Sequence, residues 1–140
     1  MSNPRDLFPV TQDSVQGVYD FVFAPWVKQL GLHDFKSAPG RASARLPESD
    51  HLKLTGGGVC GQAMMAAIDT VAVLAVASGD QKVKGTAYQH TQFLRPALGD
   101  DMIVTAEVLR FGKSTAYVEA KITFAISGAL VAHAVLEFAF

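Results

Sequence analysis

Cysteine is almost missing from this chain of 140 residues: Cys60 stands alone, so no internal disulfide can form. A reducing, cytoplasmic setting is expected. Charge is also sparse. Charged residues make up 18%, and twelve basic against thirteen acidic side chains leave a formal net charge of −1. That balance offers no basic footprint for nucleic acid or for an anionic membrane surface. The chain shows no internal repeat, low-complexity tract or linker. Its opening MSNPRDLFPV lacks the apolar stretch of a signal peptide, so none is expected. Hydrophobic residues are plentiful, at 49%. With this length they predict a single domain over residues 1–140 with a substantial core.

One run needs a decision. Val59 to Ala77 is 19 residues long and mostly apolar, close to the length of a membrane span. Gln62, Asp69 and Thr70 interrupt it, and a central aspartate costs about 2.5–3.5 kcal/mol on insertion scales. The rest of the chain reads as strands that need a helix to cover them. A core helix from about Val59 to Ser78 is expected, and no membrane contact.

A first helix is predicted over Thr11–Leu30, with Asp13 as its cap and Gln16 as capping-box partner. Val15, Val18, Phe21, Val22, Trp26 and Leu30 recur near helical spacing. Pro25 predicts a bend or break, and Gly31 a stop. HDFKSAPGRASARLPES reads as two short strands around Pro39–Gly40. Strands are predicted at Val83–Leu94, Met102–Phe111, Ser114–Ile126 and from Leu130 onward. Ala116, Val118, Ala120, Ile122, Phe124 and Ile126 alternate with polar residues, the period of a half-buried strand. The links RPALGDD, RFGKS and ISGA read as three hairpin connections. The fold class is therefore α+β, with one long apolar helix packed on an antiparallel sheet.

Asp69 is the residue of interest on that helix. Ala66, Ala67, Ile68, Val71, Ala72 and Val73 leave little polar face around it, so the carboxylate is either paired or functional. Upstream, TGGGVCGQ runs into the helix start, where free N–H groups and the positive dipole end can polarise a carbonyl. Phosphate-loop and dinucleotide fingerprints are absent, so no cofactor is expected. His51, His90 and His133 lack metal-ligand spacing, and no metal is expected. Cys60 sits where a helix N-terminus lowers a thiol pKa, but a small structural residue is the expected role. Gly61 and Asp69 lie eight residues apart, about 12 Å along a helix. If they act on one carbonyl, they must come from different subunits. A symmetric dimer with antiparallel helices would create two equal sites.

GGGVCGQAMMAAIDTVAVLA, followed by FLRPALGDDMIVTAEVLRFGKSTAYVEAKI, resembles the PaaI-type acyl-CoA thioesterases of the hotdog fold. The resemblance covers roughly Leu54 to the C-terminus. The family signature is Asn-x-x-Gly-x-x-His-Gly-Gly followed by Asp. Gly57, Gly61 and Asp69 fall on matching positions, whereas Leu54 replaces the Asn, Cys60 the His and Gln62 the second glycine. FLRP at Phe93–Pro96 and GKS at Gly112–Ser114 match in kind and place.

The resemblance implies a hotdog: an antiparallel sheet wrapped around a long central helix, in dimers that pair as tetramers with sites between subunits. It implies hydrolysis of an acyl-CoA thioester. Asp69 would be base or nucleophile, the Gly61 N–H would polarise the thioester carbonyl, and Thr86 would help place water, allowing a one-residue gap. Cys60, Gln62 and Ser114 would contact substrate, and Arg95, Arg110 and Lys113 would meet the CoA phosphates. A non-catalytic acyl-CoA or aromatic ligand-binding hotdog protein is the alternative. A hydratase on this fold expects an Asp–His pair along the helix start, which this chain lacks.

Overall fold

The computed structural model describes residues 4–140, so the first three residues of the expected domain lie outside the described part. Three α-helices and six strands follow in order: α1 (Val15–Val22), α2 (Pro25–Lys28), β1 (His33–Ala38), β2 (Arg41–Leu46), α3 (Gly61–Val76), β3 (Gly85–Phe93), β4 (Met102–Phe111), β5 (Thr115–Phe124) and β6 (Leu130–Ala139). The strands form one antiparallel sheet in the order β1-β2-β4-β5-β6-β3. Its inner face wraps α3, the hotdog arrangement.

Alanine makes room for that helix. Ala42, Ala106, Ala120 and Ala134 are register partners on four neighbouring strands, so they form one straight row across the sheet. All four are buried. Side chains this short let the helix sit close against a curved sheet, with larger side chains filling the flanks. On the helix, Ile68, Val71, Leu74 and Val76 are fully enclosed. Burial of each is worth about 1.5–3 kcal/mol. Ten of the sixteen residues of α3 are buried, which explains why its sequence has so little amphipathic contrast.

Three expectations are corrected. RPALGDD is not a hairpin link. It carries the chain from β3 at one edge, beside β6, to β4 in the interior of the sheet. Turn composition marks where a strand stops, but not which strand pairs next. The break expected at Pro25 is present: the first helix is two pieces, and the proline opens α2 at a position where its missing N–H costs nothing. Asp13 does not cap α1: Ser14 holds the N-cap position, and the Thr11 amide donates to its Oγ at 3.0 Å. Of the expected apolar stripe, Val15, Val18 and Leu30 are buried, while Phe21 and Trp26 remain 63% and 55% exposed. No described helix is long and apolar enough to cross a membrane.

Candidate active site

The helix start is built by the glycine turn. The Leu54 amide donates to the Gly58 carbonyl at 2.8 Å, and the Gly57 amide donates to the Leu54 carbonyl at 2.9 Å. Gly57 adopts φ +95°, open to glycine at little cost. The turn is then moored on both sides, by Val59 N–H to the Ala97 carbonyl (3.1 Å) and Cys60 N–H to the Leu52 carbonyl (2.8 Å). Cys60 is the N-cap residue, half-buried, and its side chain caps nothing. The amides of Gly61, Gln62 and Ala63 follow, with no acceptor inside their own helix.

Gly61 borders a groove of about 700 Å³, lined also by Leu54, Gly58, Met64, Phe93 and Leu98, with Arg95 as its one charged side chain. The Phe93 ring covers Gly61 so closely that an added Cβ would lie 3.2 Å from it. Gln62 is exposed beside this groove.

Asp69 lies two helical turns further on, half-buried. Thr86 donates its hydroxyl to Asp69 Oδ1 at 2.5 Å, a short charge-assisted hydrogen bond. The strand is irregular beside Thr86. The β3–β6 register shifts between Thr86 and Tyr88. Thr86 therefore pairs with buried Phe138, and Gln89 with buried Leu136. This bulge puts both side chains on the helix side of the sheet, where strict alternation would turn one of them away.

The expected residues thus fall into two groups. Gly61, Cys60, Gln62 and Arg95 gather at the start of α3. Asp69 and Thr86 lie toward the other end of β3. Arg110, Lys113 and Ser114 belong to that second end, because Ala139 pairs with both Gly85 and Thr115. All three are exposed, and neither cation forms an ion pair among the described residues. Gln89, which sequence reading passed over, donates to the Met65 carbonyl of α3. Among the described residues no three His, Cys, Asp or Glu side chains are placed to hold a metal ion. Charged hydrogen bonding also shapes a distant pair: the Glu48 amide and the Arg45 guanidinium hold Asp101 below the usual carboxylate range.

Residues 56–124 match the family model described as the thioesterase superfamily. No curated protein matches the chain. Among solved structures, zebra fish thioesterase superfamily member 2 superposes with a TM-score of 0.83 at 19% identity, covering 93% of this chain and 98% of that one. The E. coli PaaI protein from the phenylacetic acid degradation operon gives 0.77 at 21% identity, over 92% and 95%. A hypothetical thioesterase from Streptococcus pneumoniae, solved with coenzyme A, gives 0.70 at 18% identity, over 76% and 83%.

Proposed function

We propose that this chain, which belongs to the thioesterase superfamily, hydrolyses an acyl-CoA thioester at a site shared between two subunits. The observation that carries the reading is the Thr86–Asp69 hydrogen bond. It gives the one acid of α3 a fixed direction on an otherwise uncharged helix.

The open edge supports sharing. β3 is a nine-residue edge strand with most of its side chains exposed, the kind of edge that invites pairing with another chain. Antiparallel pairing of two β3 strands about a two-fold axis near Gln89–His90 sets Thr86 of one copy opposite Gln92 or Phe93 of the other. Phe93 covers Gly61 and Thr86 holds Asp69. The pairing therefore brings the helix start of one subunit toward the carboxylate of its partner, twice per dimer. Two such dimers pairing as a homotetramer agree with the family resemblance.

In this site the thioester carbonyl oxygen meets the Gly61 N–H, aided by the positive end of α3. Asp69 takes a proton from a water, oriented by Thr86, whose oxygen adds to the carbonyl carbon. The C–S bond then breaks, CoA leaves as the thiol with the proton Asp69 held, and the acyl group leaves as a carboxylate, its own acid proton passing to solvent. Alternatively Asp69 attacks the carbonyl carbon itself and expels the CoA thiolate, and a water then hydrolyses the resulting acyl–Asp69 anhydride to free the acid and the carboxylate. The acyl part lies along Leu54, Met64, Phe93 and Leu98. The CoA phosphates meet Arg95, Arg110 and Lys113, with Ser114, Gln62 and Cys60 as further contacts. A cytoplasmic setting accompanies this reading. The pneumococcal thioesterase solved with coenzyme A supports CoA as the carrier.

Thiol release from a panel of aliphatic and aromatic acyl-CoAs tests it. Turnover is expected, and Asp69→Asn should lower kcat by about 10²–10⁴-fold with binding preserved. Tight binding of acyl-CoA without any turnover would instead make this a ligand-binding member of the superfamily.

A further inference from the structure

Three contacts join the edge strand to the central helix, and they step along α3 in fours. Phe93 covers Gly61, Gln89 meets Met65 and Thr86 meets Asp69. The outer two belong to the site just described, while the middle one has no part in that chemistry. We propose that Gln89 is a positioning residue: its side-chain amide holds the helix turn that carries Asp69 where Thr86 can reach the carboxylate. This rests on reading Asp69 as the reacting carboxylate.

Gln89 Nε2 donates to the Met65 carbonyl at 3.3 Å and to Thr91 Oγ1 at 2.9 Å. One amide nitrogen has two N–H groups, and both are engaged, so the side chain has a single orientation. In an α-helix the Met65 carbonyl also accepts the Asp69 amide. Gln89 therefore grips the peptide group to which the Asp69 backbone is itself bonded. The bulge makes such a grip necessary. It interrupts the ladder beside Thr86, and an interrupted edge is the part of a sheet most free to shift. Gln89, three residues on, restores a fixed distance between strand and helix.

The test uses Gln89→Met, which keeps length and loses the donor. Gln89→Glu, of the same shape, serves if the first variant does not fold. Each is measured for kcat, for KM and for the ¹³C resonance of the Asp69 carboxyl, alone and in a Thr86→Ala background. A fall in kcat of about three- to tenfold is expected, with KM within about twofold. The Asp69 resonance should move. In the Thr86→Ala background the Gln89 change should cost nothing further, because it acts through that pair. An unchanged kcat and resonance, or the same loss in both backgrounds, would overturn the proposal. Should the wild type hydrolyse no thioester, the proposed function fails on its own and the resonance decides this inference. A moved signal sustains it, and an unmoved one overturns it.

Discussion

Replacing Gly61 with proline removes one hydrogen atom of interest and little else. Gly61 is the first residue of α3, where proline is favoured because the N–H there has no helical acceptor. Cys60 before it has φ −69° and ψ 151°, a conformation compatible with a following proline. The new Cβ would stand 3.2 Å from the Phe93 ring. That ring is half exposed and can tilt outward, so the stability cost should stay within about 1 kcal/mol. The chemical cost is much larger. Loss of one oxyanion donor typically lowers kcat by about 10²–10³-fold, or roughly 2.7–4 kcal/mol. Gly61→Ala is the matched control, because it adds the same Cβ and keeps the N–H. Both variants are followed by thermal melting and by thiol release from the best acyl-CoA. Alanine should lose little and proline nearly everything. A folded proline variant as active as the alanine variant would refute the role of this amide.

Two further outcomes concern the scaffold. Gly112→Ala would place a Cβ 2.7 Å from the Thr115 carbonyl oxygen, which also accepts the Gly112 amide at 2.8 Å. With backbone on both sides there is little give, so about 1–3 kcal/mol of stability should be lost, seen as a Tm lower by about 3–10 °C. An unchanged Tm would count against this geometry. Asp101 is held below its ordinary range first by the Glu48 amide and then by Arg45. Its carboxylate therefore stabilises the fold above the ordinary aspartate value, and this contribution fades as pH falls through the lowered one. The Tm gap between wild type and Asp101→Asn should be widest near neutral pH and close in acid. A gap that stays constant down to pH 2 would contradict the assignment.

Much of this was readable in the residues. Period-two alternation in Ala116–Phe124 marks a strand because it buries one face, and the structure places β5 there, beside β4 at the strand expected over Met102–Phe111. Asp69 was conspicuous because α3 has almost no polar face to excuse it. Thr86 was named, but the bulge beside it was hidden. A bulge is a property of the pairing between two strands, and β3 alone carries no mark of it. The partner of β3 was hidden for the same kind of reason, since pairing with β6 is settled by the whole sheet. Gln89 drew no attention because glutamine at a strand's edge is ordinary, and its meaning depends on the Met65 carbonyl across from it. Phe21 and Trp26 follow helical spacing but sit on the exposed side of two short helices, where periodicity alone cannot tell which stripe faces inward.

Subunit mixing tests the shared site most directly. Gly61→Pro chains retain Asp69, and Asp69→Asn chains retain Gly61. Each alone should be nearly inactive. Refolded together in equal amounts, random pairing makes half of the dimers mixed. Each mixed dimer has one site with both groups intact and one with neither. About a quarter of wild-type activity should therefore return. A mixture that contains mixed dimers yet stays at the level of its two inactive components would contradict a site built from Gly61 of one subunit and Asp69 of the other.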